Sequence, residues 1–326
     1  MEIIRAQNLT KDYGHNRGIF NVSFLVEKGE TFGFLGPNGA GKSTTIRHMM
    51  GFSKPQSGDV YIFGKQSFKN YSEILNNVGY LPGEIALPTS DNGEDFINIM
   101  RKLRHLKNDD MLNYLIEKFK FNPKLETKKM SLGDKRKLAI IVAFMHDPDV
   151  LILDEPTSGL DPIMQQTFID FIKEEKKRGK TIFLSSHIFN EVEETCDRIA
   201  IIKDGKIVST FTTNSLKHNQ NKTFDVYFSD LKNYKMLVED ITSQKKYINV
   251  LNKDSNKLTI KLTINDKNIN KLIAILSKYK IHEFKEDKLT LEQYFMNFYK
   301  EEKDFGGVSY ERGNKSGKSN KRLQKQ

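Results

Sequence analysis

The segment Gly36–Ser43 constrains the fold of this chain more than any other. It reads Gly-Pro-Asn-Gly-Ala-Gly-Lys-Ser, follows the apolar run Thr31–Leu35 and continues from Thr44 into a predicted helix. The pattern G-x-x-x-x-G-K-[ST] between a strand and a helix is typical of a loop whose backbone N–H groups face phosphates. The lysine reaches the β- and γ-phosphate oxygens, the serine hydroxyl ligates Mg²⁺, and the positive helix end faces the same phosphates.

The loop therefore predicts a site for a nucleoside triphosphate, ATP, together with Mg²⁺. The alternative is a glycine-rich turn without a ligand, but such a match arises by chance in roughly one chain in a hundred of this length. The candidate nucleotide-binding residues of the loop are Gly36, Asn38, Gly39, Ala40, Gly41, Lys42, Ser43 and Thr44, with Ser43 also a metal ligand.

The chain divides into parts with different patterns. Residues 1–215 alternate short apolar runs with helical stretches, which predicts an α/β domain, and residues 84–145 read as helices inserted into it. Residues 216–302 follow the order β-α-β-β-α-β and then an amphipathic helix from Leu291, which predicts a small α+β domain. Residues 303–326 are expected to be disordered.

Composition narrows the class of protein. The 326 residues suggest about two domains, and no apolar stretch has the length of a membrane-spanning helix. The start of the chain lacks the apolar centre of a signal peptide, and the single cysteine, Cys196, excludes an internal disulfide. These features predict a protein on the cytoplasmic side of any membrane that it serves.

The net charge of +10 raises the question of a polyanionic partner. Between Gly306 and Gln326 six basic residues face a single acid, so half of that charge lies in the tail. The tail is a candidate contact for anionic lipid headgroups or RNA, while a merely solvated end is the favoured interpretation.

Two acids and a histidine follow other apolar runs. Asp154 and Glu155 end the run Val150–Leu153, where Asp154 is predicted to hold Mg²⁺ and Glu155 to polarise the attacking water. His187 follows the run Thr181–Leu184 and is predicted to contact the γ-phosphate and steer the water. Ordinary alternatives are a turn-capping carboxylate and a histidine bonded within a turn. Because open α/β sheets bind ligands at the carboxyl ends of their strands, we expect these residues to meet Lys42.

In this order and spacing, the loop, the acidic strand end, Ser158–Asp161 and the histidine resemble the ATP-binding subunits of ABC transporters over about the first 215 residues. The resemblance implies a P-loop NTPase fold of the ABC ATPase type. The family signature L-S-G-G-Q corresponds to Met130-Ser131-Leu132-Gly133-Asp134, where Ser131 and Gly133 are kept and Leu132 and Asp134 depart from the pattern. It implies that Ser131 and Gly133 contact the γ-phosphate of ATP bound by an opposite subunit, and that Asp161 lies near the nucleotide.

Two further assignments follow from the resemblance alone. Tyr13 matches the aromatic residue that stacks on adenine, the alternative being an edge-strand tyrosine. Gly83 stands where the family has the glutamine that senses Mg²⁺ and touches the membrane subunit, and Glu84 is predicted to replace it as a metal or water ligand.

The resemblance implies an ATPase that dimerises on ATP, with a homodimer favoured, and that powers export by separate transmembrane permease subunits at the inner face of the cell membrane. Drug, antibiotic and lipid exporters carry a C-terminal domain of similar size. One alternative is a soluble ATPase of the same type acting on nucleic acid or ribosomes, but the sequence has no zinc motif, long coiled coil or second cassette. Another is a regulatory module that binds ATP without hydrolysis, which the altered signature and the missing glutamine keep open.

Overall fold

The computed structural model describes residues 1–87, 92–217, 221–243, 247–287 and 290–300. The strands are β1 (Glu2–Asp12), β2 (Gly18–Glu27), β3 (Thr31–Leu35), β4 (Ser57–Ile62), β5 (Lys65–Gln66), β6 (Val78–Leu81), β7 (Val150–Asp154), β8 (Thr181–Ser186), β9 (Arg198–Lys203), β10 (Lys206–Thr212), β11 (Asn221–Phe228), β12 (Ile248–Asp254), β13 (Thr259–Asn265) and β14 (Ile281–Asp287). The helices are α1 (Lys42–Met49), α2 (Tyr71–Asn77), α3 (Gly93–Leu103), α4 (Asp110–Lys118), α5 (Leu132–Phe144), α6 (Pro162–Lys177), α7 (Phe189–Thr195), α8 (Thr213–Lys217), α9 (Leu231–Ser243), α10 (Ile269–Leu276) and α11 (Leu291–Lys300).

The central sheet has the strand order β10-β9-β3-β8-β7-β6, and all of its neighbours are parallel except β10 and β9. Every residue of β3, β7 and β8 is buried. Parallel strands covered on both faces read as continuous apolar runs, which is why the sequence reveals them. The predicted α/β fold is confirmed, and the loops that follow β3, β7 and β8 meet at one edge of this sheet.

A second, antiparallel sheet with the order β2-β1-β4-β5 packs beside it, and the sequence did not predict it. Its inward residues share a core cluster with the central sheet. The partly buried Phe24 packs against that cluster and stacks on Phe32 and on Phe183, with ring centroids 5.5 Å and 5.4 Å apart. On the other side, α3, α4 and α5 form the expected helical region between residues 84 and 145 and pack with α6 in a second core cluster.

The third sheet is antiparallel, has the order β12-β13-β11-β14 and shows the predicted β-α-β-β-α-β succession. Its core combines inward residues of the strands with residues of α9 and α10, including Val226, Leu237, Ile260 and Leu272. It shares no buried residue with the other two clusters within the described residues. This unit therefore has a core of its own.

The helix α11 packs away from the third sheet. Its buried residues Leu291 and Phe295 belong to the core of the first part of the chain, where the ring of Phe295 meets Phe189 of α7 at 5.1 Å. The ring centroids of Tyr294 and Phe211 of β10 lie 4.8 Å apart. The division near residue 215 stays a prediction, and the basic tail lies outside the described residues. Among the described helices, none combines the length and the apolar character needed to cross a membrane.

Candidate functional site

The loop between β3 and α1 curls around the side chain of Lys42. The Lys42 ammonium donates hydrogen bonds to the carbonyl oxygens of Gly36 at 2.7 Å and Pro37 at 3.1 Å. Gly41, at the start of α1, has a φ of 109°, which favours glycine. A Cβ atom on Gly36 would lie 2.5 Å from the carbonyl oxygen of Ile202, so the close approach of these strands also requires glycine. The loop therefore closes around its own lysine, and its role as a phosphate cradle stays a prediction.

The structure brings the three predicted catalytic residues together. The Lys42 ammonium lies 3.0 Å from Glu155 Oε1, and the other carboxylate oxygen of Glu155 lies 2.6 Å from Nδ1 of His187. Lys42 and Glu155 are largely buried, whereas the His187 side chain is 46% exposed. Glu155 adopts a φ of 49°, in the left-handed region, which turns the chain sharply at the end of β7. We call Lys42, Glu155 and His187, whose catalytic roles stay predictions, the catalytic cluster.

Asp154 lies beside this cluster at the end of β7. Its side chain is buried, and its Oδ1 accepts a hydrogen bond of 2.5 Å from the Ser185 hydroxyl. Burial raises the pKa of the Tyr80 hydroxyl to about 12, and the Asp154 charge contributes to that rise. Ser43 is exposed at the start of α1. Carboxylate and hydroxyl oxygens are the hard ligands that Mg²⁺ takes beside phosphates, so this pair fits the ion.

Gly83 faces the Asp154 carboxylate. A Cβ atom on Gly83 would lie 3.1 Å from Asp154 Oδ2, so any side chain here would crowd the acid. The neighbouring Glu84 is exposed. Its predicted role as a metal or water ligand stays a prediction.

Ser131 and Gly133 lie at the start of α5. The Ser131 hydroxyl lies 2.6 Å from Asp134 Oδ2, the backbone N–H of Asp134 donates to the Ser131 hydroxyl at 3.1 Å, and the two residues form a capping box. Gly133 lies against the carbonyl oxygen of Gly159, 3.2 Å from where its Cβ would be. The signature segment is therefore packed on the turn that follows Glu155 and carries a carboxylate beside its serine.

Two other predicted nucleotide contacts have local partners. The Asp161 carboxylate accepts backbone hydrogen bonds from Ile163 and Met164, both at 3.0 Å, and so caps the start of α6. Tyr13 lies in the turn after β1 rather than in a strand, and 55% of it is exposed. Its ring is accessible, with the Lys11 ammonium 5.7 Å from the ring centroid.

Sequence reasoning missed two buried charged residues beside the site. Arg136 of α5 is 2% exposed and donates to the backbone around Gly83 and Ser158. Glu191 of α7 is 1% exposed and accepts a hydrogen bond from the Ser186 hydroxyl. Burial raises the pKa of the Glu191 carboxyl to about 7, and the charge of nearby Glu155 contributes. A charged residue on a helix reads as a solvated one, so the sequence carries no signal for either.

Comparison with known proteins identifies relatives. Residues 19–158 match a family model described as ABC transporter. The chain is 40% identical over 243 residues to the bacitracin transport ATP-binding protein BcrA of Bacillus licheniformis, covering 73% of this chain and 78% of that protein. It is 32% identical to the uncharacterized ABC transporter ATP-binding protein YhcH of Bacillus subtilis (strain 168), covering 93% of this chain and 97% of that protein. A solved structure described as an ATP-binding subunit of an ABC transporter is similar with a TM-score of 0.61 and 28% identity, over 66% of this chain and 92% of the other.

Proposed function

The chain belongs to the ABC transporter family as an ATP-binding ATPase subunit, and from that membership we propose that it drives export through a separate membrane permease. ATP-binding subunits of this family dimerise and work with transmembrane permeases. The observation that supports hydrolysis here is the catalytic cluster, in which Glu155 lies between Lys42 and His187 at 3.0 Å and 2.6 Å.

The catalytic cluster assigns a task to each residue. The Lys42 ammonium leaves its carbonyl and carboxylate partners to bind the β- and γ-phosphate oxygens of ATP. The Glu155 carboxylate, freed from that ion pair, accepts the proton of the attacking water. His187 is held by Glu155 at Nδ1 and so presents its other ring nitrogen toward the γ-phosphate. Bound Mg²⁺ supplies charge neutralisation of the phosphates, with Ser43 and Asp154 as its protein ligands.

The second copy of the chain completes the site in this proposal. Ser131 and Gly133 of one subunit face the nucleotide held by the loop of the other, because the positive N-terminal end of α5 starts at the exposed residues Ser131 and Leu132. ATP then favours the closed pair through contacts that hydrolysis removes, and the permease responds to this population shift. The subunit lies at the inner face of the cell membrane through its permease. Export follows from the similarity to the bacitracin transport protein.

Replacement of Glu155 by glutamine tests the hydrolytic role. Glu155→Gln keeps the shape of the side chain and one acceptor oxygen but removes the general base, so we expect kcat to fall by about 10²–10⁴ while ATP still binds. Steady-state ATPase assays and equilibrium ATP binding measure the two quantities. Glu174→Gln is the matched control, since Glu174 also pairs with a lysine, Lys118 at 2.7 Å, but on the surface away from the site.

The outcomes separate the alternatives. Wild-type kcat in Glu155→Gln contradicts the assignment of the base. A wild-type protein that binds ATP and does not hydrolyse it, alone or with its permease, supports the regulatory-module alternative instead.

A further inference from the structure

Arg136 is a buried arginine whose three guanidinium nitrogens each donate a hydrogen bond to a backbone carbonyl oxygen. Its Nη1 donates to the carbonyl oxygen of Pro82 at 2.8 Å, its Nη2 to that of Gly83 at 2.7 Å and its Nε to that of Ser158 at 3.0 Å. Only a guanidinium offers three such donors in one rigid plane, whereas a lysine ammonium is a single point with free rotation. The guanidinium, which we call the Arg136 fork, therefore holds two separate chain segments at a fixed distance from α5.

The electrostatic surroundings keep Arg136 in place. Burial lowers the pKa of its guanidinium, and the carboxylates of Asp154, Glu155 and Glu191 act in the opposite direction. The group stays charged, as arginine does in proteins. Through the carbonyl oxygen of Gly83, which faces the Asp154 carboxylate, Arg136 adjoins the site whose charge changes when ATP and Mg²⁺ bind.

The segments that Arg136 joins have different tasks. Gly83 lies over the Asp154 carboxylate, and Ser158 lies in the turn after Glu155, so both belong to the nucleotide site of the same chain. The helix α5 that carries Arg136 is capped at its start by Ser131, which faces the nucleotide of the second copy in the proposed dimer. Gly83 has no side chain of its own, so its tie to α5 is made through the carbonyl oxygen that Arg136 binds.

We propose that Arg136 is a positioning residue that couples the two ATP sites of the dimer, by moving the Gly83 and Ser158 segments together with the start of α5. This inference rests on the proposed function, because only a two-copy site gives α5 and Asp154 different nucleotides. Binding of one nucleotide moves the segment around Asp154 and Gly83. The hydrogen bonds of the Arg136 guanidinium then transmit this movement to Ser131 at the start of α5. Hydrolysis at the two sites is then cooperative.

Arg136→Lys tests the coupling because it keeps the charge and removes the fork. We expect the Hill coefficient for ATP hydrolysis to fall from a wild-type value above 1 toward 1. We also expect kcat to fall about tenfold or more, since each charge-assisted hydrogen bond lost is worth at least that factor. Binding of a fluorescent ATP analogue to the isolated subunit stays within about twofold, because Arg136 does not touch the Lys42 loop.

Arg198→Lys is the matched control. Arg198 is a less buried arginine whose guanidinium likewise donates to a backbone carbonyl oxygen, that of Leu25 at 2.7 Å, but it lies at the opposite end of β9 from the site. Any loss of stability from removing a guanidinium is shared by both variants, whereas a fall in the Hill coefficient belongs to Arg136→Lys alone. An unchanged Hill coefficient in folded Arg136→Lys overturns the proposal, as does a wild-type value of 1.

A measurement on the wild-type protein covers the case in which the variant does not fold. Hydrogen exchange with and without a non-hydrolysable ATP analogue should show protection rising together in residues 80–87, 131–136 and 156–160. Independent responses of these segments overturn the coupling. In either result, ATP hydrolysis by the wild type and its loss in Glu155→Gln remain as separate support for the proposed function.

Discussion

Phe295→Ala should release the helix α11 from the core while leaving the rest of the protein folded. Phe295 is 8% exposed and its ring packs edge-on against Phe189 of α7 at 5.1 Å. Truncating a buried phenylalanine costs about 3–5 kcal/mol. Leu291, the other buried residue of this helix, contributes only about 1.5–3 kcal/mol by burial, which is too little to hold the helix in place alone.

Hydrogen exchange measures this release directly. A loss of at least 3 kcal/mol in the docking of α11 corresponds to a fall of about 100-fold or more in the protection of its amides. The thermal midpoint of the central sheet should change little, because the aromatic contact of Phe295 is made with Phe189 of α7 and not with a strand. Met296→Ala is the control, since Met296 is the next residue of the same helix and is 44% exposed. Equal protection of α11 in the two variants would refute the reasoning.

Two further predictions concern single residues beside the site. Gly159→Ala and Gly179→Ala both place a side chain at a φ of 83° and should each lose about 1–2 kcal/mol of stability in urea titrations. Only Gly159→Ala should also lower kcat, because its Cβ would lie 2.6 Å from the Leu132 side chain in the signature segment. A Cβ on Gly179 would meet nothing within 4 Å. Equal kcat values in the two variants would contradict this reasoning. Glu191 has its pKa raised from 4.5 to about 7, so the folded state holds this proton more tightly and stability is lost as pH rises through that window. The unfolding free energy of Glu191→Gln should therefore rise by about 2–3 kcal/mol relative to that of the wild type between pH 5 and pH 8. Parallel pH profiles of the two unfolding free energies would contradict the raised pKa of Glu191.

The sequence predicts those parts of the site that are encoded locally. The loop around Lys42 is a continuous motif, and β3, β7 and β8 are short apolar runs because both of their faces are covered. The meeting of Glu155 and His187 then requires only that parallel strands end at the same edge.

Long-range contacts are what the sequence leaves out. The pairing of β1 with β4 joins segments about fifty residues apart, and their mixed burial gives no clear alternation to read. Arg136 has the local pattern of a solvated helix residue, and its partners are backbone carbonyls, which no sequence pattern marks. The amphipathic character of α11 predicts a helix with a buried face, but not which core accepts that face.

The docking of α11 makes the third sheet an insertion in the physical sense. The chain leaves the first core after α8 and returns to it at α11. There the Tyr294 and Ser209 hydroxyls lie 3.1 Å apart, and the Lys203 ammonium donates to the carbonyl oxygen of Phe298 at 2.8 Å. Both ends of the inserted unit are thus fastened to the same hairpin. Such a unit can be replaced during evolution without disrupting the first core. A force applied to it would act on β10 and, through the contact of Phe295 with Phe189, on the helix that follows His187.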